Sequence, residues 1–254
     1  MSGDADNTLY LHPELYDLEF AGYRADARFY GEVVRDHPGL VVEPGCGTGR
    51  LWGLLQPRRY VGLDGAAAMV RQGARRTAHL PAHQRPTWAR ADLRALPLAD
   101  RTAHVVMLAY NLLQHMRDEP SLVACLREAR RVLHEDGVVA MDTFMPPRPG
   151  TERVEREFGW FEERTGPDGR VWRVGERTVQ EEDTGVQRTE LSYRARDGSS
   201  PERVVTFTRR AWSVPVLLDA ITAASLRLER AWGDVDGRPW REDSPRFMAV
   251  CRRG

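Results

Sequence analysis

The sequence contains no lysine, because all 37 of its basic residues are arginine. Without lysine the chain can form no lysine Schiff base, and it cannot build a P-loop, in which a lysine contacts phosphate. Cysteine is scarce as well: only Cys46, Cys125 and Cys251 occur, far apart in the chain. An odd number of scattered thiols predicts reduced core residues rather than a disulfide framework or a metal site.

Other absences restrict the class of partner. No stretch is long and apolar enough to cross a membrane, and the first residues lack the basic and apolar segments of a signal peptide. We therefore expect a cytoplasmic protein without a membrane partner. The 37 arginines are matched by 37 interleaved acidic residues, whereas a nucleic-acid surface carries an excess of positive charge, so no nucleic-acid partner is expected. Histidine and acidic residues show no metal-ligand spacing, which predicts no metal.

The most informative segment that is present runs from Val41 to Leu51. Two β-branched residues lead into Glu43, and Gly45, Gly47 and Gly49 then alternate with other residues before a helix-like stretch. This order predicts a buried strand that turns sharply, so that bare backbone can approach a ligand. A dinucleotide fingerprint would place its third glycine at position 50, where Arg50 stands, so NAD is the weaker interpretation.

Further acids follow predicted strands in the same way. Asp64 ends the apolar run 60–64, at the distance where Rossmann-type folds place the acid that binds ribose hydroxyls. Asp92 follows the short stretch 87–89, and His104 to Ala109 reads as a fourth strand. Helical spacing over 122–133, a turn at 134–137 and a fifth strand at 138–142 complete the alternation.

This ordered set of features resembles the class I S-adenosylmethionine-dependent methyltransferases. The resemblance implies an α/β fold with a Rossmann-like doubly wound sheet, a helix over 215–221 and a closing hairpin of strands 226–232 and 246–251. It also implies S-adenosyl-L-methionine as the cofactor. The residues that it assigns to cofactor binding are Tyr16, Arg24, Glu43, Gly45, Cys46, Gly47, Gly49, Asp64, Gly65, Met69, Asp92, Leu93 and Tyr110.

Four regions are predicted. They are an N-terminal helical lid (1–36), the cofactor-binding core (37–150), a small antiparallel β insert after the fifth strand (151–210) and the last part of the core sheet (211–254). Turn residues separate three segments of the insert that are rich in Val, Thr, Trp, Tyr and Arg. This region resembles the insert of glycine and amino-sugar N-methyltransferases, which covers the active site or builds an oligomer contact. The alternative is an insert that has no functional role.

Two residues are candidates for the acceptor side of the site. His115 follows the fourth strand, and the segment 111–116 resembles the histidine-bearing loop of small-molecule N-methyltransferases. Tyr16, in a Tyr-Asp pair, resembles the lid tyrosine of amino-sugar N,N-dimethyltransferases, as Arg24 resembles the arginine that meets the methionine carboxylate. The alternatives are a histidine bonded to backbone at the start of a helix and an amphipathic packing stripe of tyrosines at near-heptad spacing.

The predicted function is methylation of a small molecule or short peptide, with an amine nitrogen as the preferred acceptor atom. O- or C-methylation of a small metabolite is the first alternative. A non-catalytic, cofactor-binding regulatory protein is the second, because a cofactor motif does not by itself establish chemistry. Homo-oligomer formation is left open.

Overall fold

The computed structural model describes residues 7–20, 22–145, 159–180 and 185–254. The predicted boundary at 150/151 and the start of the insert, 151–158, lie outside the described residues. The strands are β1 (Leu40–Pro44), β2 (Arg59–Asp64), β3 (Thr87–Arg90), β4 (Ala103–Leu108), β5 (Leu133–Phe144), β6 (Gly159–Thr165), β7 (Val171–Gln180), β8 (Val186–Ala195), β9 (Arg203–Arg210), β10 (Leu226–Trp232) and β11 (Arg246–Arg253). The helices are α1 (Pro13–Phe20), α2 (Ala27–Asp36), α3 (Arg50–Leu55), α4 (Ala67–Thr77), α5 (Glu119–Val132) and α6 (Val214–Ala223), with 3₁₀ turns at Thr8–Leu11, Ala82–Gln84 and Leu112–His115.

The main sheet has seven strands in the order β10-β11-β5-β4-β1-β2-β3. Strands β1 to β5 pair in parallel, and β11 and β10 complete the sheet as an antiparallel hairpin. The parallel strands read as nearly continuous apolar runs because both faces of the sheet are covered by helices. The chain order reverses between β1 and β4, and ligands of open α/β sheets bind at the carboxyl ends of the strands at such a switch point. The predicted doubly wound α/β fold is confirmed.

The predicted antiparallel insert is a separate sheet after β5, in the order β6-β7-β8-β9. Its first strand, β6, has no counterpart among the predicted segments. One face of this sheet carries apolar side chains that pack with Leu9 and Leu15 from the N-terminal segment. The free edge of β9 is capped by side chains: the backbone N–H of Thr206 donates to Thr8 Oγ1 (2.9 Å) and that of Thr208 to Asn7 Oδ1 (3.0 Å).

The prediction of a turn at 134–137 is wrong, because these residues belong to β5. Strand β5 begins at Leu133, and its pairing with β4 shifts register, so that Ala103 lies opposite Leu133 while Val105 lies opposite Val138. The extra residues form a bulge, which removes them from the ladder without ending the strand. Gly137 allows this bulge, because a Cβ there would lie 2.9 Å from the carbonyl oxygens of Ala103 and His104.

Among the described residues, no helix is long and apolar enough to cross a membrane.

Candidate active site

The loop between β1 and α3 is built from backbone that only glycine tolerates. Gly45, Gly47 and Gly49 all have left-handed φ values, of 69°, 56° and 84°. A Cβ on Gly45 would lie 2.2 Å from Leu112 Cδ1, and one on Gly47 would lie 2.9 Å from the hydroxyl of Tyr16. The loop therefore passes tightly between the 3₁₀ turn after β4 and helix α1, with no side chain of its own in the way.

Asp64, at the end of β2, holds this loop in place. Its Oδ2 accepts the backbone N–H of Gly47 (2.9 Å) and its Oδ1 that of Ala66 (2.8 Å). The structure shows no ion pair to this carboxylate within the described ranges. Each carboxylate oxygen can accept more than one hydrogen bond, so Asp64 retains acceptor capacity toward the cavity that it lines.

Glu43, at the end of β1, is 4% exposed and accepts a hydrogen bond from the Tyr60 hydroxyl. Burial raises the pKa of Glu43 from 4.5 to about 8, against the lowering effects of that hydrogen bond and of the Arg50 charge. A carboxyl group in this state gains strongly from a nearby cation, because the cation stabilises its ionised form.

These groups face one cavity of about 800 Å³ at the carboxyl ends of the strands. The predicted site residues that line it are Tyr16, Glu43, Gly45, Cys46, Gly47, Asp64, Gly65, Asp92, Leu93, Tyr110 and His115. Three others lie elsewhere. Arg24 and Gly49 line a separate cavity of about 220 Å³, where a Cβ on Gly49 would meet Trp88 at 2.3 Å. Met69 is fully buried in α4.

Arg50, rather than Arg24, brings a guanidinium group to the main cavity. Arg50 forms two hydrogen bonds to the Asp26 carboxylate, at 2.7 and 2.6 Å, and both side chains are at most 9% exposed. Its guanidinium group also lies over the rings of Tyr23 and Tyr110, at 5.2 and 5.4 Å. The glycine motif contains this residue, but the motif alone indicates only that position 50 is not a glycine.

Asp92 is already bound by its neighbour. Both of its oxygens accept hydrogen bonds from the Arg94 side chain, at 3.0 and 2.7 Å, and its Oδ1 also accepts the Arg94 backbone N–H. The Arg94 hydrogen bond lowers the pKa of Asp92 to about 2. The carboxylate is therefore ionised and held at the rim, with less capacity for a ligand than Asp64 retains.

The turn after β4 is strained and firmly fixed. Tyr110 and Asn111 have positive φ values, 53° and 63°, which non-glycine residues adopt at a cost. Asn111 Oδ1 accepts the backbone N–H of Phe144 (2.6 Å), and the N–H of Tyr110 donates to Asp142 Oδ1 (2.7 Å). Asp142 is absent from the predicted site, although it ends the run 138–142 as Glu43 and Asp64 end theirs, and that pattern is the signal that could have found it.

This turn presents His115 to the cavity. Tyr10 OH and His115 Nε2 are 3.1 Å apart, and the two rings meet edge to face. Burial lowers the pKa of His115 to about 4, and the positive charge of Arg209 adds to this effect. Tyr16 packs against Phe20 and lies over Gly47, and burial raises its pKa well above the usual value.

Tyr10 and Arg209 line the cavity near His115, together with Phe207 and Thr208 of β9. Neither Tyr10 nor Arg209 is among the predicted site residues. The sequence shows Tyr10 only as part of a tyrosine packing stripe, and nothing in the local pattern around Arg209 distinguishes it from the other arginines of the insert.

Comparison with known proteins agrees with this geometry. Residues 41–137, which include the glycine loop, Asp64 and His115, match the family model described as "Methyltransferase domain". An uncharacterized 37.1 kDa protein in transposon TN4556 of Streptomyces fradiae is 34% identical over 125 residues, which are 45% of this chain and 34% of that protein. The chain thus spans about a third of the length of that curated relative.

Solved structures share the fold over almost the whole chain. The CcbJ methyltransferase of Streptomyces caelestis superposes with a TM-score of 0.74 at 19% identity, covering 92% of each chain. The sugar N-methyltransferase KedS8 of Streptoalloteichus sp. gives 0.71 at 22% identity, covering 100% of this chain and 96% of its own. The fold and the site define a class I doubly wound cofactor-binding protein. The chain contains an S-adenosylmethionine-dependent methyltransferase domain.

The residues present fit S-adenosylmethionine, the cofactor of this domain. Gly45 and Gly47 leave the loop bare, Asp64 offers free acceptor capacity suited to ribose hydroxyls, and the buried Glu43 carboxyl suits the methionine ammonium group. A volume of about 800 Å³ lies in the upper part of the range for small-molecule sites, roughly 300–1,000 Å³, and so leaves room for an acceptor beside the cofactor.

Proposed function

We propose that this protein transfers a methyl group from S-adenosylmethionine to an amine nitrogen of a small molecule or short peptide. The observation that carries the choice of nitrogen is that neither His115 nor Tyr16, the two candidates for the acceptor side of the cavity, is suited to take up a proton near neutral pH. The neutral form of His115 predominates above its pKa of about 4, and burial holds the pKa of Tyr16 well above its usual value.

When bound, the cofactor supplies an electrophilic methyl carbon: the acceptor nitrogen bonds to it, the carbon–sulfur bond breaks, and the sulfur leaves as a neutral thioether. The protein's part is alignment and exclusion of water. Tyr16 covers the glycine loop, and Phe20 and Tyr110 extend an aromatic wall beside it.

A neutral amine needs no base before it attacks, whereas a hydroxyl group does. His115, with a pKa of about 4, is too weak a base to hold the proton that the methylated nitrogen sheds, so this proton passes to solvent. We therefore assign His115 and Tyr10 to orienting the acceptor by hydrogen bonds. Two structural neighbours, a sugar N-methyltransferase and a glycopeptide N-methyltransferase, support nitrogen as the acceptor atom.

The test is incubation of purified protein with S-adenosylmethionine and a panel of amino sugars, amino acids and short peptides, read by mass spectrometry. The methylated atom is then identified by NMR. We expect N-methylated products from wild type and a severe loss of turnover in Asp64→Asn at limiting cofactor. Methylation only at oxygen or carbon would contradict the choice of nitrogen, and cofactor binding without any product would favour the regulatory alternative.

His115→Ala separates orientation from base catalysis. A general base contributes on the order of 10² to 10⁴ in rate. We expect His115→Ala to lower kcat less than tenfold, with cofactor affinity within about twofold of wild type, and the pH dependence of kcat/KM to stay unchanged. A loss of more than a hundredfold, accompanied by the disappearance of an acid limb, would instead make His115 the base.

A further inference from the structure

One cationic side chain of the main cavity has no use in the chemistry described above. Arg209 lies near the end of β9 and lines the cavity with Phe207 and Thr208. Its Nε is buried and has no hydrogen-bond partner among the residues that the structure describes, and its guanidinium group lies 5.0 Å from the Phe207 ring centre. Within the described ranges, the structure shows no carboxylate paired with Arg209.

Other arginines that line this cavity are matched by acceptors of the protein. Arg50 is bound by the Asp26 carboxylate and Arg94 by Asp92, while Arg90 Nε donates to the carbonyl of Gly65 at 2.8 Å. A buried donor without a partner costs free energy, and more so when it is charged. Arg209 therefore differs from these three arginines, and also from Arg71, which lines the cavity but is exposed to solvent.

The direction of Arg209 is set by the sheet. Side chains alternate along β9, so Val205, Phe207 and Arg209 share the face that packs toward the N-terminal segment, where Val205 and Phe207 are buried. The charge of Arg209 acts on both Tyr10 and His115: it opposes the effect of burial, which raises the pKa of Tyr10, and adds to the effect of burial, which lowers the pKa of His115. The guanidinium group thus lies at the acceptor end, near the pair that orients the acceptor.

Glu176, an acidic residue of the insert that lines the cavity, is not at this end. Glu176 lies on β7, two strands from β9, and its backbone pairs with Leu191, which in turn pairs with Val205. Glu19 lines the cavity as well and pairs with Arg164 at 3.7 Å. An anion beside Arg209 would therefore meet a positive group while avoiding these carboxylates.

We propose that Arg209 is a specificity-determining residue that binds an anionic group, a carboxylate or a phosphate, of the methyl acceptor. This inference rests on the proposed function, since it names the class of acceptor. Guanidinium groups bind both kinds of anion through paired N–H donors, and such charge-assisted hydrogen bonds are stronger than neutral ones. The acceptor is thus an amine that carries an anion at a fixed distance from its nitrogen.

The test measures binding rather than turnover. Protein saturated with S-adenosylhomocysteine is titrated by calorimetry with two matched pairs of probes: glucosamine 6-phosphate against glucosamine, and L-phenylalanine against L-phenylalaninamide. We expect wild type to bind the anionic member of at least one pair about tenfold more tightly or better. The pair that shows the preference distinguishes phosphate from carboxylate.

Arg209→Gln should reduce this preference to less than about threefold, whereas Arg177→Gln, an exposed arginine of β7, should keep it. The proposal is overturned if wild type binds the anionic member of neither pair more tightly than the uncharged member, or if it binds none of the four probes. It is also overturned if Arg209→Gln retains the preference for the anionic probe. A weakened affinity of Arg209→Gln for S-adenosylhomocysteine would also overturn it, because Arg209 would then serve the cofactor. If wild type bound no S-adenosylhomocysteine or methylated no acceptor, the proposed function itself would be contradicted.

Discussion

Glu43 and Asp64 are carboxyl groups at the ends of neighbouring strands, yet their surroundings differ. Asp64 accepts two backbone N–H groups and faces the cavity, whereas Glu43 is 4% exposed and is bonded to Tyr60. Burial raises the pKa of both, and that of Glu43 reaches about 8. Single substitutions at the two positions should therefore have different consequences.

Asp64→Asn should weaken cofactor binding. Charge-assisted hydrogen bonds contribute roughly 1.5–3 kcal/mol each, so we expect the dissociation constant of S-adenosylhomocysteine to rise more than about tenfold. Calorimetry provides the measurement, and Asp219→Asn, on the surface of α6, is the control. An affinity within twofold of wild type would show that Asp64 only holds the loop.

Glu43→Gln should change how stability depends on pH. The unfolded chain loses the Glu43 proton near its ordinary pKa of 4.5, while the folded protein keeps it until about pH 8. Folded protein thus binds more protons in this window, and wild type loses stability as pH rises through it, by at most about 1.4 kcal/mol per pH unit. Glutamine does not ionise, so the free energy of unfolding of the variant should increase relative to that of wild type between pH 5 and pH 8.

Urea unfolding of both proteins at several pH values measures this gain. The difference in free energy of unfolding, variant minus wild type, should increase steadily with pH. A difference that stays constant from pH 5 to pH 8 would mean that Glu43 is ionised throughout this range in the folded protein.

At the scale of elements, α2 is attached by a buried ion pair to the residue that follows the glycine loop between β1 and α3. Asp26 directly precedes α2 and Arg50 begins α3, so their two hydrogen bonds fix the start of α2 against the start of α3. A second connection runs from the loop to α1: the Thr48 hydroxyl donates a hydrogen bond to Asp17, at 2.5 Å. Asp17 also forms an ion pair with Arg76. Side-chain hydrogen bonds therefore connect this loop and the start of α3 to both N-terminal helices.

Asp26→Leu should destabilise the protein by about 3–5 kcal/mol, because it leaves the buried Arg50 charge without a partner. The double variant Asp26→Leu/Arg50→Met should recover most of this loss, since apolar replacement of a whole buried pair is often neutral. Chemical denaturation measures both. Arg28→Gln, which breaks an exposed pair with Glu32, should cost less than about 1 kcal/mol and serves as the control. Equal losses in the single and double variants would contradict this account.

At the scale of the whole molecule, the cavity lies between two sheets and the N-terminal segment. The main sheet supplies the glycine loop and the second sheet supplies β9. The 3₁₀ turn Thr8–Leu11 supplies Tyr10, which contacts His115. Leu9 is fully buried in the core of the second sheet. A ligand that fills this cavity can therefore contact both sheets and the N-terminal segment.

Cofactor binding should accordingly stabilise the molecule as a whole. At a hundred times its dissociation constant a ligand adds about 2.7 kcal/mol, which for a chain of this size raises Tm by roughly 5–10 °C. Differential scanning fluorimetry with S-adenosylhomocysteine measures the shift, and Asp64→Asn at the same concentration should show a smaller one. A shift confined to one of two separate transitions would show that the insert unfolds independently of the core.

The sequence predicts the core better than the walls of the site. The parallel strands other than β3 contain apolar runs, and the acids that end two of them, Glu43 and Asp64, can be assigned to the carboxyl edge of the sheet from this pattern alone. Strand β6 escapes prediction because adjacent glutamates interrupt its alternation. The juxtaposition of Tyr10, His115 and Arg209 comes from segments that are distant in the chain, which local patterns cannot reveal.

The capping of β9 by Asn7 and Thr8 has a consequence for synthesis on the ribosome. The bonded residues are about 200 positions apart, as between Thr8 and Thr206 (198) and between Asn7 and Thr208 (201). At about 5–20 residues per second, the nascent N-terminal segment waits on the order of 10–40 s before its partner strand is translated. Until the last strands of the second sheet are made, Leu9 lacks most of the apolar residues that bury it in the folded protein, so we expect a chaperone to hold this segment during that interval.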